Sequence, residues 1–219
     1  MNDDGITFTD DFLEDLRTYE GNQEILQSDW FVQQHGYQGY VDGKFLPYKD
    51  SKGNWTIGSG IKLSDEEYNQ FKGGITTEQE AGLFNTRLSE AHSQASKLFH
   101  NWDSFPQEVK EVATDLTYNM GYGTLKNEFG RFVDALNEPT PNYPKAMANL
   151  KFVNPSDLGD VKTYKDDVGD RVSEYYETQE SRSIYNLDKL QRAYDNSKDT
   201  ETDDGVFNVI RDQDEFVWK

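Results

Sequence analysis

Apolar residues recur at helical spacing over most of the chain and lose that spacing in one stretch near its start, so a mostly helical protein with a small sheet is predicted. Thr9 reads as an N-cap, Asp10 and Asp11 suit a first helical turn, and Phe12, Leu13 and Leu16 form one stripe of a helix that stops at Gly21. From Tyr37 to Gly60 no helical period exists. Asp42-Gly43 and Asp50-Ser51-Lys52-Gly53 are turn signals between short aromatic-rich runs, which predicts an antiparallel meander. Ser64-Asp65-Glu66-Glu67 has capping-box form, and Thr76-Thr77-Glu78-Gln79 opens a longer helix with Phe84, Leu88, Ala91, Ala95 and Leu98 on one face. After Pro106, the series Val109, Val112, Ala113, Leu116 and Met120 marks the central buried helix, ended by Gly121 and Gly123. Phe129, Phe132, Val133 and Leu136 mark another helix, and further helices are expected around 143–151, 168–180 and 184–195. The segment 152–167 is too polar to assign, and 206–210 and 215–218 have the form of two short strands.

Charge and composition narrow the chemistry. Among 219 residues, 41 are acidic and 22 basic, a net charge of −19 that excludes a general nucleic-acid binder. No cysteine is present, which removes disulfides, thiol nucleophiles and thiolate metal sites together. The three histidines, at 35, 92 and 100, lack metal-ligand spacing, so neither metal nor cofactor is expected. No run of 18 apolar residues occurs and the N-terminus is acidic, so neither membrane insertion nor a secretion signal is expected. Gly58-Ser59-Gly60 lacks the flanking residues of a nucleophile elbow or a phosphate loop.

Four motifs in order carry a resemblance. Tyr19-Glu20-Gly21, Tyr48-Lys49-Asp50 with Gly53-Asn54-Trp55-Thr56-Ile57-Gly58-Ser59-Gly60, Gly74-Ile75-Thr76-Thr77-Glu78-Gln79-Glu80-Ala81, and Tyr118-Asn119-Met120-Gly121 are together similar to the phage-type (T4-like) lysozymes. The resemblance implies an α+β fold, a small antiparallel sheet lobe and a larger helical lobe around a cleft. It implies Glu20, Asp50 and Thr56 as the catalytic set of an inverting glycosidase, with carboxyls ~6.5–9.5 Å apart. Glu20 closes a helix, where the negative end of the dipole disfavours ionisation and suits a general acid. Asp50, in a polar turn, stays charged, and the Thr56 hydroxyl holds a water against it. Asn119 and Gly121 would line the cleft, with helix capping as the other role for Asn119. Trp55 is read as core, with glycan stacking as its second role. Arg171, in Asp170-Arg171-Val172-Ser173-Glu174, matches the segment from which these enzymes bring an arginine to the catalytic Glu.

The chain also departs from the pattern. Residues 21–49, 29 in all, separate the two carboxylates where the family has a much shorter hairpin, and they include Trp30, Phe31, Tyr37, Tyr40 and Phe45, expected to pack locally. Ile61 stands where the family usually has His, His35 reads as a surface residue, and the match weakens beyond 137. The expected organisation is a lysozyme-like domain over 1–195, with a sheet lobe over 22–63 that carries an inserted segment 22–47, a helical lobe over 64–195, and an acidic appendage over 196–219. The implied activity is hydrolysis of the β-1,4 bond between N-acetylmuramic acid and N-acetylglucosamine in peptidoglycan. The protein would be a monomer made in the bacterial cytoplasm and acting on the wall, as an endolysin or beside other virion proteins. A chitosanase-like glycosidase and a non-catalytic glycan-binding or virion module are the alternatives.

Overall fold

The computed structural model describes residues 7–152, 163–165 and 171–201. Helix α1 (Asp10–Glu20) begins where Thr9 accepts a hydrogen bond from the Phe12 N–H, and buries Phe12 and Leu16. The sheet lobe, expected from residue 22, starts later. Residues 23–35 form two short helices, α2 (Gln23–Gln27) and α3 (Asp29–His35), because Asn22 and Ser28 each cap a helix start and Gly36 closes α3 in the left-handed region. Both pack inward: Leu26 and Phe31 join the core with Phe45. The inserted residues are therefore part of the sheet-side core, with Trp30 and Tyr37 left exposed.

The strands form two small antiparallel sheets. Strands β1 (Tyr40–Val41), β2 (Lys44–Phe45) and β6 (Ile75–Thr76) make one, and β3 (Tyr48–Lys49), β4 (Trp55–Ile57) and β5 (Ile61–Lys62) make the other. In the second, Tyr48 pairs with Thr56 and Thr56 with Lys62. Both capping boxes form, at Ser64 for α4 (Asp65–Phe71) and at Thr76 for α5 (Thr77–Ser96). At 20 residues, α5 spans about 30 Å and joins two cores. Phe84 and Leu88 face the sheet-side cluster, while Ala95 belongs to the helical one with α6 (Gln107–Met120).

A short α7 (Tyr122–Asn127) occupies what reads as a turn, followed by α8 (Gly130–Leu136) and α9 (Tyr143–Lys151). The helix expected over 168–180 is instead a strand, β8 (Arg171–Ser173), paired with β7 (Thr163–Lys165), and then a short α10 (Glu174–Thr178). The last helix, α11 (Glu180–Glu201), is longer than expected and continues into the acidic appendage. The two strands expected over 206–210 and 215–218 lie outside the described residues.

One buried polar cluster ties three helices together. Glu111 on α6 accepts from the Thr9 N–H and hydroxyl (2.8 and 2.9 Å) and from Gln107 Nε2 (3.2 Å), and it pairs with Lys189 of α11. Burial alone would raise the Glu111 pKa, but the Lys189 and Thr9 bonds outweigh it and hold it below the usual carboxylate range. A depressed value means that this stabilisation is present above the ordinary carboxylate pKa of about 4.3 and is lost as pH falls through the lower folded value. Glu111→Gln should therefore start from a lower melting temperature, with Lys189 left unpaired, and fall less between about pH 5 and 2. Melting curves as steep in acid as the parent's would remove Glu111 from the acid response.

Candidate active site

Helix α1 delivers Glu20 as its final residue, and Gly21 ends the helix at φ +111°. The Glu20 side chain, 14% exposed, forms an ion pair with Nη1 of Arg182 on α11. The other edge of the same guanidinium is taken by Asp115 of α6. Arg182 Nε donates to both Asp115 oxygens (3.1 Å each) and Nη2 to Oδ1 (2.6 Å). Arg182 and Asp115 are almost fully buried. Burial by itself would weaken the hold of Arg182 on its proton, but the two carboxylates strengthen it well beyond normal.

The Gly58-Ser59-Gly60 turn presses on this group, which gives its glycines a physical reason. A Cβ on Gly60, at φ +70°, would collide with the Glu20 carboxylate, and one on Gly58, at φ +55°, would sit 2.5 Å from Glu80 Cγ. Glu80, 1% exposed, accepts from the Ser59 N–H (3.1 Å) and from Arg17 (3.1 Å), and Tyr118 donates to the Ser59 carbonyl (2.9 Å). The turn is thus anchored from α1, α5 and α6 while its second glycine lies against Glu20.

Asp50 follows β3 in the turn to β4. Its oxygens accept from the Lys52 N–H (2.9 Å), the Asn54 N–H (2.8 Å) and Asn54 Nδ2 (2.9 Å). Burial opposes ionisation, yet the Asn54 and Lys52 bonds and the Lys62 charge prevail and set its pKa below the normal value, so it is charged at neutral pH. Thr56 is buried, with its hydroxyl 3.4 Å from the Asn54 carbonyl. Thr56 pairs with Tyr48 across β3 and β4, and just past that ladder the Asp50 N–H donates to the Asn54 carbonyl (2.9 Å). The buried Tyr48 phenol feels both carboxylates: burial first, then the fields of Glu20 and Asp50, push its pKa up.

Other residues singled out in the sequence lie differently. Trp55, half-buried, stacks on Tyr68 at 3.9 Å and carries the Lys49 ammonium 4.2 Å from the ring centroid. Asn119 exchanges two hydrogen bonds with Gln179 (2.8 and 3.1 Å) across to the α10–α11 junction. Gly121, at φ +86°, joins α6 to α7 and has open space at its Cβ position. His35 is half-buried, stacked on Phe31 at 4.2 Å, and Ile61 is buried. The guanidinium on Glu20 is that of Arg182; the backbone of Arg171 lies in β8 and its side chain is outside the described residues. The signal for Arg182 was weak, one arginine at the start of a polar helix. Asp115 was more visible, as a carboxylate amid Val112, Ala113 and Leu116 on a helix buried on nearly every side.

With this geometry in hand, the chain can be compared with known proteins. In structure it is similar to the muramidase domain of SpmX from Asticaccaulis excentricus, at 14% sequence identity and a TM-score of 0.50, covering 84% of this chain and 97% of that one. That likeness shows the lysozyme-like α+β fold. No curated protein matches the sequence. The family model described as phage lysozyme matches residues 41–156, which include Asp50, Thr56, Asn119 and Gly121, while Glu20 and Arg182 lie outside the matched span. Since that span is more than half of the chain, the protein belongs to the phage lysozyme family.

Proposed function

We propose that the protein is a muramidase that cleaves the β-1,4 bond between N-acetylmuramic acid and N-acetylglucosamine of peptidoglycan with inversion. Glu20 gives its proton to the glycosidic oxygen as the bond to the anomeric carbon breaks. Asp50, with the Thr56 hydroxyl, holds a water on the opposite face of the sugar and takes its proton as it attacks. The observation that supports this most is the contrast between the carboxyls. Asp50 is kept charged by three hydrogen bonds, while Glu20 rests in a buried ion-pair cluster, and Tyr48 feels both.

Purified peptidoglycan digested with the protein should yield muropeptides whose masses place the cut after N-acetylmuramic acid, and NMR of the first product formed should show the inverted anomer. Asp50→Asn should lower turnover by about 10²–10⁴-fold, the range for removing a positioned acid–base group. A retained anomer would remove the water-holding role from Asp50. Cleavage of chitosan alone would move the substrate to that polymer, and no product from either would make the protein a glycan-binding module.

A further inference from the structure

The mechanism leaves Asp115 unused, although it is among the most completely bonded carboxylates in the described residues. It takes two arms of Arg182, and the Asn186 Nδ2 donates to its other oxygen while lying 2.7 Å from the Tyr175 hydroxyl. Only Nη1 of Arg182 is left to meet Glu20. A guanidinium against a carboxyl would by itself draw off the proton that an acid catalyst needs. Counting charge over the buried trio shows how this is offset. With Asp115 and Arg182 paired, the trio is neutral when Glu20 is protonated and carries one negative charge when it is not, and burying net charge is costly.

We propose that Asp115 is a positioning residue for the reaction: by holding two arms of Arg182 and balancing its charge, it lets Glu20 keep a proton while resting on a guanidinium. The inference rests on the reading of Glu20 as the general acid. The other titratable groups around Glu20 do not supply this balance. Tyr48 on β3 and Tyr118 on α6, which both feel the Glu20 charge, are phenols pushed up by burial and so neutral, Glu80 is paired with Arg17, and Asp50 is bonded by Asn54 and Lys52. The Tyr19 ring on α1 lies 5.9 Å from Arg182 Cζ and packs against Tyr185 of α11, both phenols are likewise raised by burial, and Asp15 acts on those two phenols.

The test reads Glu20 directly. Carbon NMR of glutamate carboxyls in the full chain, with Glu20 assigned by Glu20→Gln, gives its titration midpoint without any assay of activity. Asp115→Asn keeps the shape, and the Oδ1 of Asn186, which has no hydrogen-bond partner, can turn to accept from the new amide. The midpoint should fall by about one to three pH units, and the alkaline limb of kcat on peptidoglycan should move with it while KM holds. The double variant Asp115→Asn/Arg182→Gln removes both charges and no net charge, so it tests the idea even if the single variant does not fold. Its midpoint should stay within about one unit of the parent's. An unchanged midpoint in the single variant, or a rise of more than about one unit in the double, would overturn the role of Asp115. An inactive parent protein would instead overturn the reading of Glu20 and leave the titration to stand by itself.

Discussion

Glu20→Gln should reduce muropeptide release by at least about 10³-fold and leave the folded state intact. The amide cannot donate the proton that the leaving sugar oxygen requires, a loss at the upper end of what a positioned acid contributes. The fold should tolerate the change because Gln offers Arg182 the same carbonyl oxygen, and Asp115 still carries the charge opposite the guanidinium. The amide also has the uncharged shape of the protonated acid, and a group tuned for catalysis is commonly a stability cost, so the melting temperature should hold or rise slightly. Paired measurements of lysis and thermal unfolding check both halves. Wild-type lysis by the variant would take the acid role away from Glu20, and a fall of many degrees would mean that its ion pair is structural first.

Arg182→Met should be among the most damaging single substitutions for stability, costing about 3–5 kcal/mol. The reason is asymmetry. Asp115 is 2% exposed and loses every charged partner at once, whereas Glu20 is nearer to solvent. A carboxylate left in that position must stay desolvated or take up a proton, and both destabilise the folded state at neutral pH. For a domain of this size the loss corresponds to a drop of roughly 6–20 °C in melting temperature. Adding Asp115→Leu should recover most of it, because an apolar pair of similar volume carries no desolvation penalty. Urea unfolding of the parent, single and double variants measures the cycle. A double variant no more stable than the single would show that the loss comes from packing of the long arginine side chain.

The likeness to SpmX concerns the fold, so the chemistry rests on the residues of this chain. That matters for the insertion between the two carboxylates. It builds Leu26 and Phe31 into the sheet-side core, and Phe31 and His35 pack on Tyr48, whose phenol feels the charges of both Glu20 and Asp50. The extra residues thus support one wall of the candidate site, and of their aromatic residues Trp30 and Tyr37 are the exposed ones.

Features that depend on neighbours in the chain were legible in the sequence. Thr9, Ser64 and Thr76 cap their helices as read, because a cap needs only a side-chain oxygen and an N–H two or three residues on. The stripe of α5 and the buried series of α6 followed from period alone, and the Asp50 turn from its own side chain bonding the backbone ahead. The short helices α2 and α3 were missed because five or seven residues are too few to show a period, and isolated they would not form; packing of Leu26 and Phe31 decides them. Tertiary structure alone brought Arg182 to Glu20. The partners of Arg182 lie 162 and 67 residues away, and no local pattern records which arginine a fold will bury. It also set the partners of Trp55, since ring stacking on Tyr68 and an ammonium from Lys49 depend on how β4, α4 and β3 meet. Local hydrogen bonds and apolar period thus determined the longer helices and the turn that carries Asp50, while the charge balance around Glu20 arose only when α1, α6 and α11 came together.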